Sequence, residues 1–103
     1  MKGNYSWKKI RKRILKRDKC KCQSPICKYK EQIFGETSPL IEVHHIIPRR
    51  FFKPKYLGDR EDNLISYCWR CHKVFDRMIR AKERKIGKKT FAFMMKQKIK
   101  KLC

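Results

Sequence analysis

Two short β-branched runs, three stretches with apolar residues at helical spacing, and two cysteine pairs at metal-ligand spacing predict a small α+β domain held together by zinc. The 103 residues are read as one such domain. A chain of that length buries only a thin core, so a staple has to supplement apolar burial.

Taken in order, the segment SWKKIRKRILKRD offers Ser6 as an N-cap and Trp7, Ile10 and Ile14 at helical spacing, with Leu15 widening the stripe. Lys8, Lys9, Arg11, Lys12, Arg13, Lys16 and Arg17 cover the rest, which predicts a basic helix over about 6–19. Residues 20–40 carry Pro25, Gly35 and Pro39 without periodicity and read as a knuckle and a loop. LIEVHH reads as a strand, and NLISY as a second one. Between them residues 46–62 hold Pro48, Pro54 and Gly58, a loop long enough in so small a domain to be functional or disordered. HKVFDRMIRAKERKI places Phe75, Met78 and Ile79 on one side and ends before Gly87, as a helix does. Thr90 is the expected cap of a last helix over about 90–102, whose stripe of Phe91, Met94, Met95, Ile99 and Leu102 is packing surface.

Charge points to the partner. Thirty Lys and Arg against nine Asp and Glu give a formal charge of +21, a field that attracts polyanions and repels its own copies. Nucleic acid is the expected ligand. No N-terminal apolar run resembles a signal peptide and no stretch approaches a membrane span, so no membrane partner is expected and a cytoplasmic, thiol-preserving location is.

Of the six cysteines, Cys68 and Cys71 form a C-x2-C half-site, and Cys22 and Cys27 in CQSPIC form a knuckle of workable spacing. Together they predict a closed structural zinc site rather than disulfides or unligated thiols, clamping the start of the loop region to the final helix. Cys20 competes with Cys22 for a place in it, and Cys103 is a spare.

With zinc given to the cysteines, His44 and His45 in the first strand, and His72 directly after Cys71, are left for something else. A lone histidine in a strand is usually a satisfied polar residue. Two neighbours with a third beside a metal half-site suit metal ligation and general base work. The long loop interleaves Arg49, Arg50, Lys53, Lys55 and Arg60 with Phe51, Phe52 and Tyr56. That pattern suits phosphate contact and stacking, with loop anchoring as the competing reading of the rings. Arg11 and Lys12 on the basic helix form a second surface for backbone phosphates.

EVHHIIP, DNLISYC and WRCH together resemble the motif of the HNH endonucleases, in the zinc-stapled branch of the ββα-metal (His-Me finger) fold. The likeness covers residues 7–76, with the motif core over about 20–80; residues 77–103 resemble nothing else. It implies a DNA-cleaving hydrolase in which His44 and His72 hold a catalytic divalent cation, His45 is the general base and Asn63 holds base and loop in place. Asp76 stands where some members place a third ligand, with a solvated helix carboxylate as the other reading. The resemblance further implies Mg2+, Mn2+, Ni2+ or Zn2+ as activator and 5′-phosphate and 3′-hydroxyl ends. Strand alternation sends His44 and His45 to opposite faces, so both serve one phosphate only if the strand bends or ends there. Two alternatives stay open: a non-enzymatic zinc-dependent DNA- or RNA-binding module, and a subunit active only in a homodimer or in a larger phage or restriction assembly.

Overall fold

The computed structural model describes residues 6–102, arranged as helix α1 (Trp7–Arg17), strands β1 (Ile41–His45) and β2 (Leu64–Cys68), and helices α2 (Trp69–Ile86) and α3 (Lys88–Leu102). Cys103 lies outside the described residues. The fold is α+β, as expected.

α1 starts where Ser6 accepts a hydrogen bond from the Lys9 amide at 3.4 Å, a side-chain cap on a backbone N–H that has no partner within the helix. It ends at Asp18, and the chain reverses through Lys19 and Cys20, both at positive φ, with the Cys20 amide donating to the Leu15 carbonyl at 2.8 Å. The apolar stripe does what its spacing implies. Ile14 and Leu15 are fully buried against Ile41, Val43 and Leu64 of the sheet, with Trp7 and Ile10 at the margin.

β1 and β2 pair antiparallel, Ile41 opposite Cys68 and His45 opposite Leu64. Alternation then gives the sheet two different faces. Ile41 and Val43 face α1, while Tyr67, opposite Glu42, stacks on Phe75 of α2 at 4.7 Å between ring centres.

Residues 46–62 are built rather than loose. Three short 3-10 turns, Arg49–Phe51, Lys55–Asp59 and Glu61–Asn63, fold the segment back on itself. Phe52 is buried beside Ile47, Phe91 and Met95, and the Phe51 ring meets Phe91 edge-on, so both phenylalanines anchor the loop. Gly58 has no room for a side chain: a Cβ there would stand 2.9 Å from Phe52 Cδ1 and 3.2 Å from Arg49 Cα.

Several expectations are corrected. α2 begins at Trp69, three residues before the predicted start, because β2 runs straight into it with Cys68 as the capping residue. Met78 is exposed, unlike Phe75 and Ile79 on the same helix. Thr90 does not cap α3; Gly87, at φ 91°, breaks the chain and its carbonyl takes the Phe91 amide at 3.0 Å. The cysteine cluster ties the knuckle to the start of α2, the middle helix, rather than to the final one. No helix of the described residues is long and apolar enough to cross a membrane.

Candidate functional site

Two clusters of side chains able to ligate a metal draw on the start of α2. The first comprises Cys22, Cys27, Cys68 and Cys71, whose sulfurs all lie within 4.8 Å of one another. Cys68 ends the strand and Cys71 follows on the first turn of the helix, while the knuckle brings Cys22 and Cys27 over them, the Gln23 amide donating to the Ser66 carbonyl at 2.9 Å. Cys20, the competing ligand, packs instead against the cluster of Ile14 and Leu15.

The donor set fits a closed metal site. A tetrahedron with metal–sulfur bonds of about 2.3 Å has edges of about 3.8 Å, and the Cys27 and Cys68 sulfurs are 3.8 Å apart. The electrostatics agree. Burial first, with the neighbouring thiols adding to it, pushes Cys71 up to about 12; burial also raises Cys22. At Cys68 burial acts upward too, but hydrogen bonds from the Cys71 amide and the other thiols outweigh it and bring the group down. Four thiolates cannot share this space without a cation among them, and a metal such as zinc would supply that charge.

The second cluster comprises His44, His72 and Asp76, with ligand atoms again within 4.8 Å of one another. His44 comes from β1; His72 and Asp76 are one turn apart on α2 and therefore share a face. His44 Nδ1 stands 4.0 Å from Asp76 Oδ1, and His72 Nδ1 3.7 Å from Asp76 Oδ2. The two rings meet edge-on with centres 5.0 Å apart. Burial, then the charge of His72, pushes His44 down to about 4 against the pull of Asp76, which keeps it in the neutral form that binds metal. Two imidazoles and a carboxylate are a fitting donor set for a divalent cation with positions left open.

His45 points the other way. Its ring stacks on Trp7 of α1, centres 5.4 Å apart and 16° from parallel, and its Nε2 lies 2.7 Å from Asp59 Oδ1. Alternation therefore holds for the two histidines, and β1 ends at His45. A cavity of about 390 Å3 reaches both, lined also by Arg49, Arg50, His72, Asp76 and Arg80.

Asn63 is buried, and none of its side-chain hydrogen bonds goes to His45. Its Oδ1 accepts from the Ile47 amide at 2.8 Å, and its Nδ2 donates to the carbonyls of Ile47 at 3.0 Å and Gly58 at 2.9 Å. One amide thus pins both ends of the long loop.

The basic residues divide. Arg49 and Arg50 line the cavity, each with a carboxylate partner as well, Asp59 at 3.2 Å and Glu83 at 3.0 Å, whereas Lys53, Lys55 and Lys12 are exposed away from its lining. Arg11 donates to the carbonyls of Glu36 and Ile41, and Arg60 to Asp62 and the Leu102 carbonyl, so both guanidiniums are engaged in holding the fold. Four residues at or beside the site escaped the sequence reading: Trp7, Glu42, Asp59 and Arg80. Glu42, whose Oε2 is 3.7 Å from His72 Nδ1, was legible in principle from strand alternation, two positions before His44. Arg80 follows Asp76 by one helical turn, which is also a readable spacing. Trp7 was read only as core, and nothing local marks Asp59.

A family model described as HNH endonuclease matches residues 22–74. Comparison with curated proteins gives no match, and comparison with solved structures gives none.

Proposed function

Because the chain belongs to the HNH endonuclease family, we propose that it hydrolyses phosphodiester bonds of DNA in the cavity between His45 and the His44–His72–Asp76 cluster. One observation carries this reading: a candidate base on β1 and a three-ligand cation site shared by β1 and α2 open onto the same cavity among Arg49, Arg50 and Arg80. Binding alone requires neither the base nor the open ligand set.

His44 and His72, with Asp76 as third ligand, would hold the catalytic cation, and Cys22, Cys27, Cys68 and Cys71 the structural zinc. When bound, the divalent cation supplies Lewis-acid stabilisation for negative charge on the phosphate and the departing 3′ oxygen. The chain's own residues do the rest. Burial, then the positive charge of Arg49, lowers the pKa of His45, which favours the neutral ring that takes a proton from water as that water attacks phosphorus. As the bond from phosphorus to the water oxygen forms, the bond to the 3′ oxygen breaks and that oxygen takes a proton from solvent, leaving a 5′ phosphate and a 3′ hydroxyl. Arg49, Arg50 and Arg80 hold the strand by its phosphates, with Lys12, Lys53 and Lys55 as outlying contacts. Asn63 is a positioning residue that sets the loop carrying Arg49 and Asp59.

Plasmid cleavage by the zinc-loaded protein across Mg2+, Mn2+, Ni2+ and Zn2+ tests the proposal. Cation-dependent nicking or linearisation is the expected result. A protein that binds DNA and cuts nothing with any of them is a zinc-dependent binding module, or a subunit needing further chains.

A further inference from the structure

A buried carboxylate against the proposed base is the feature that the reaction so far leaves unused. The Asp59 side chain is only 2 % exposed, although it belongs to a loop, and its Oδ1 lies 2.7 Å from His45 Nε2. Arg49 Nε donates to the same oxygen at 3.2 Å. Burial pushes the Asp59 carboxyl up, but a guanidinium, which can only donate, on the same oxygen as the imidazole nitrogen favours the ionised acceptor. Trp7 completes the enclosure by stacking on the imidazole, so the ring is held by a face contact and an edge contact at once.

The loop is built to deliver this carboxylate. Gly58, directly before it, passes so close to Phe52 and Arg49 that no side chain fits, and its carbonyl is fixed by Asn63 Nδ2. The buried amide of Asn63 therefore reaches His45 through Gly58 and Asp59, though it makes no hydrogen bond to the ring.

We infer that Asp59 is a positioning residue for the reaction, holding His45 in the Nε2–H tautomer so that Nδ1 carries the lone pair that accepts the proton of water. A carboxylate has no proton to donate, so the hydrogen of the shared bond belongs to the imidazole. An amide at the same place is able to donate to Nε2 instead and stabilise the opposite tautomer, in which Nδ1 is no longer a base. The same logic governs the buried aspartate of the serine-protease triad, where an amide replacement keeps the geometry and loses turnover. The inference rests on His45 being the base.

The test uses the full zinc-loaded chain. Nitrogen-15 NMR of the imidazoles, at mildly alkaline pH and without catalytic cation, should show the parent His45 protonated at Nε2 and unprotonated at Nδ1. Asp59→Asn should move that signature toward the Nδ1–H form. With activating cation the variant should retain its zinc, bind DNA with KM within about 2-fold of the parent, and lose at least roughly 10²-fold in kcat. A merely structural role would change stability and leave the tautomer alone. A parent His45 protonated at Nδ1 overturns the inference, even if the variant fails to fold, and so does parental kcat in a folded Asp59→Asn protein. If the parent cuts nothing with any cation while the Asp59-dependent tautomer is present, the ring-orienting role stands and the nuclease reading falls.

Discussion

The two ligand clusters share the first turn of α2, since Cys71 and His72 are neighbours in sequence, yet they are opposite kinds of site. The cysteine cluster supplies four soft ligands, mostly buried, and joins segments more than forty residues apart in the chain, as between Cys27 and Cys68. It leaves a tetrahedral ion no position for anything else. The histidine cluster supplies three harder ligands at the edge of an open cavity, leaving positions that water or a phosphate oxygen is able to fill. In the proposed reading, closure serves stability and incompleteness serves chemistry. The two donor sets then meet at the adjacent residues Cys71 and His72.

Removing one thiolate should produce the largest effect. Cys68→Ser is expected to abolish zinc retention and cooperative folding, because metal binding and folding are one equilibrium in a site of this kind. Metal analysis and thermal melts check it: parent protein should carry a single zinc ion through mild chelation, and a folded, zinc-free parent would remove the contrast altogether.

Next come the neighbouring histidines, which should fail differently. His45→Ala should keep its fold, zinc and DNA affinity while losing cleavage at least roughly 10²-fold. His44→Ala should lose cleavage through weakened cation binding, so a large excess of divalent cation should restore part of it. Cleavage titrations against cation concentration distinguish these outcomes; parental activity in His45→Ala would exchange the assigned roles.

Acid should expose a smaller effect of the same cluster. His44 is held down to about 4 in the folded chain, by burial first and His72 second, against an ordinary value of 6.5. Between those values the unfolded chain binds more protons than the folded one. The stability due to neutral His44 is therefore complete above 6.5 and is lost as pH falls toward 4, at up to about 1.4 kcal/mol per pH unit. Melts without catalytic cation should show a flatter acid limb for His44→Gln than for the parent, the cysteine cluster being the same in both proteins. Superimposable curves would contradict a buried, neutral His44.

The smallest predicted effect is electrostatic and sharpens the distinction between cavity arginines and structural ones. DNA affinity should fall with salt at a log-log slope of about −0.9 per phosphate neutralised. Arg80→Ala should make that slope shallower by about one such increment. Arg60→Ala, whose guanidinium is already on Asp62 and the Leu102 carbonyl, should lower the melting temperature and leave the slope where it was. Equal slope changes would mean that the field of the whole molecule, rather than the cavity, grips DNA.

What the sequence determined by itself is the set of features carried by local spacing. The cysteine half-sites, the alternating strand with its two histidines, the turn-to-turn relation of His72 and Asp76, and the apolar stripes of α1 and α3 were legible because a strand repeats every second residue and a helix every third or fourth. The α+β class followed from the same periods. Tertiary structure alone decided which cysteine of Cys20 and Cys22 joins the cluster, that Arg11 and Arg60 are engaged by carbonyls and a carboxylate, and that Trp7 and Asp59 enclose His45. Asp59 is fourteen residues from its histidine and Trp7 thirty-eight. Their meeting depends on the path of a loop set by the lack of room at Gly58 and by the three hydrogen bonds of Asn63. No period in the sequence encodes such a path, because it is the joint solution of packing and hydrogen-bond constraints contributed by distant segments.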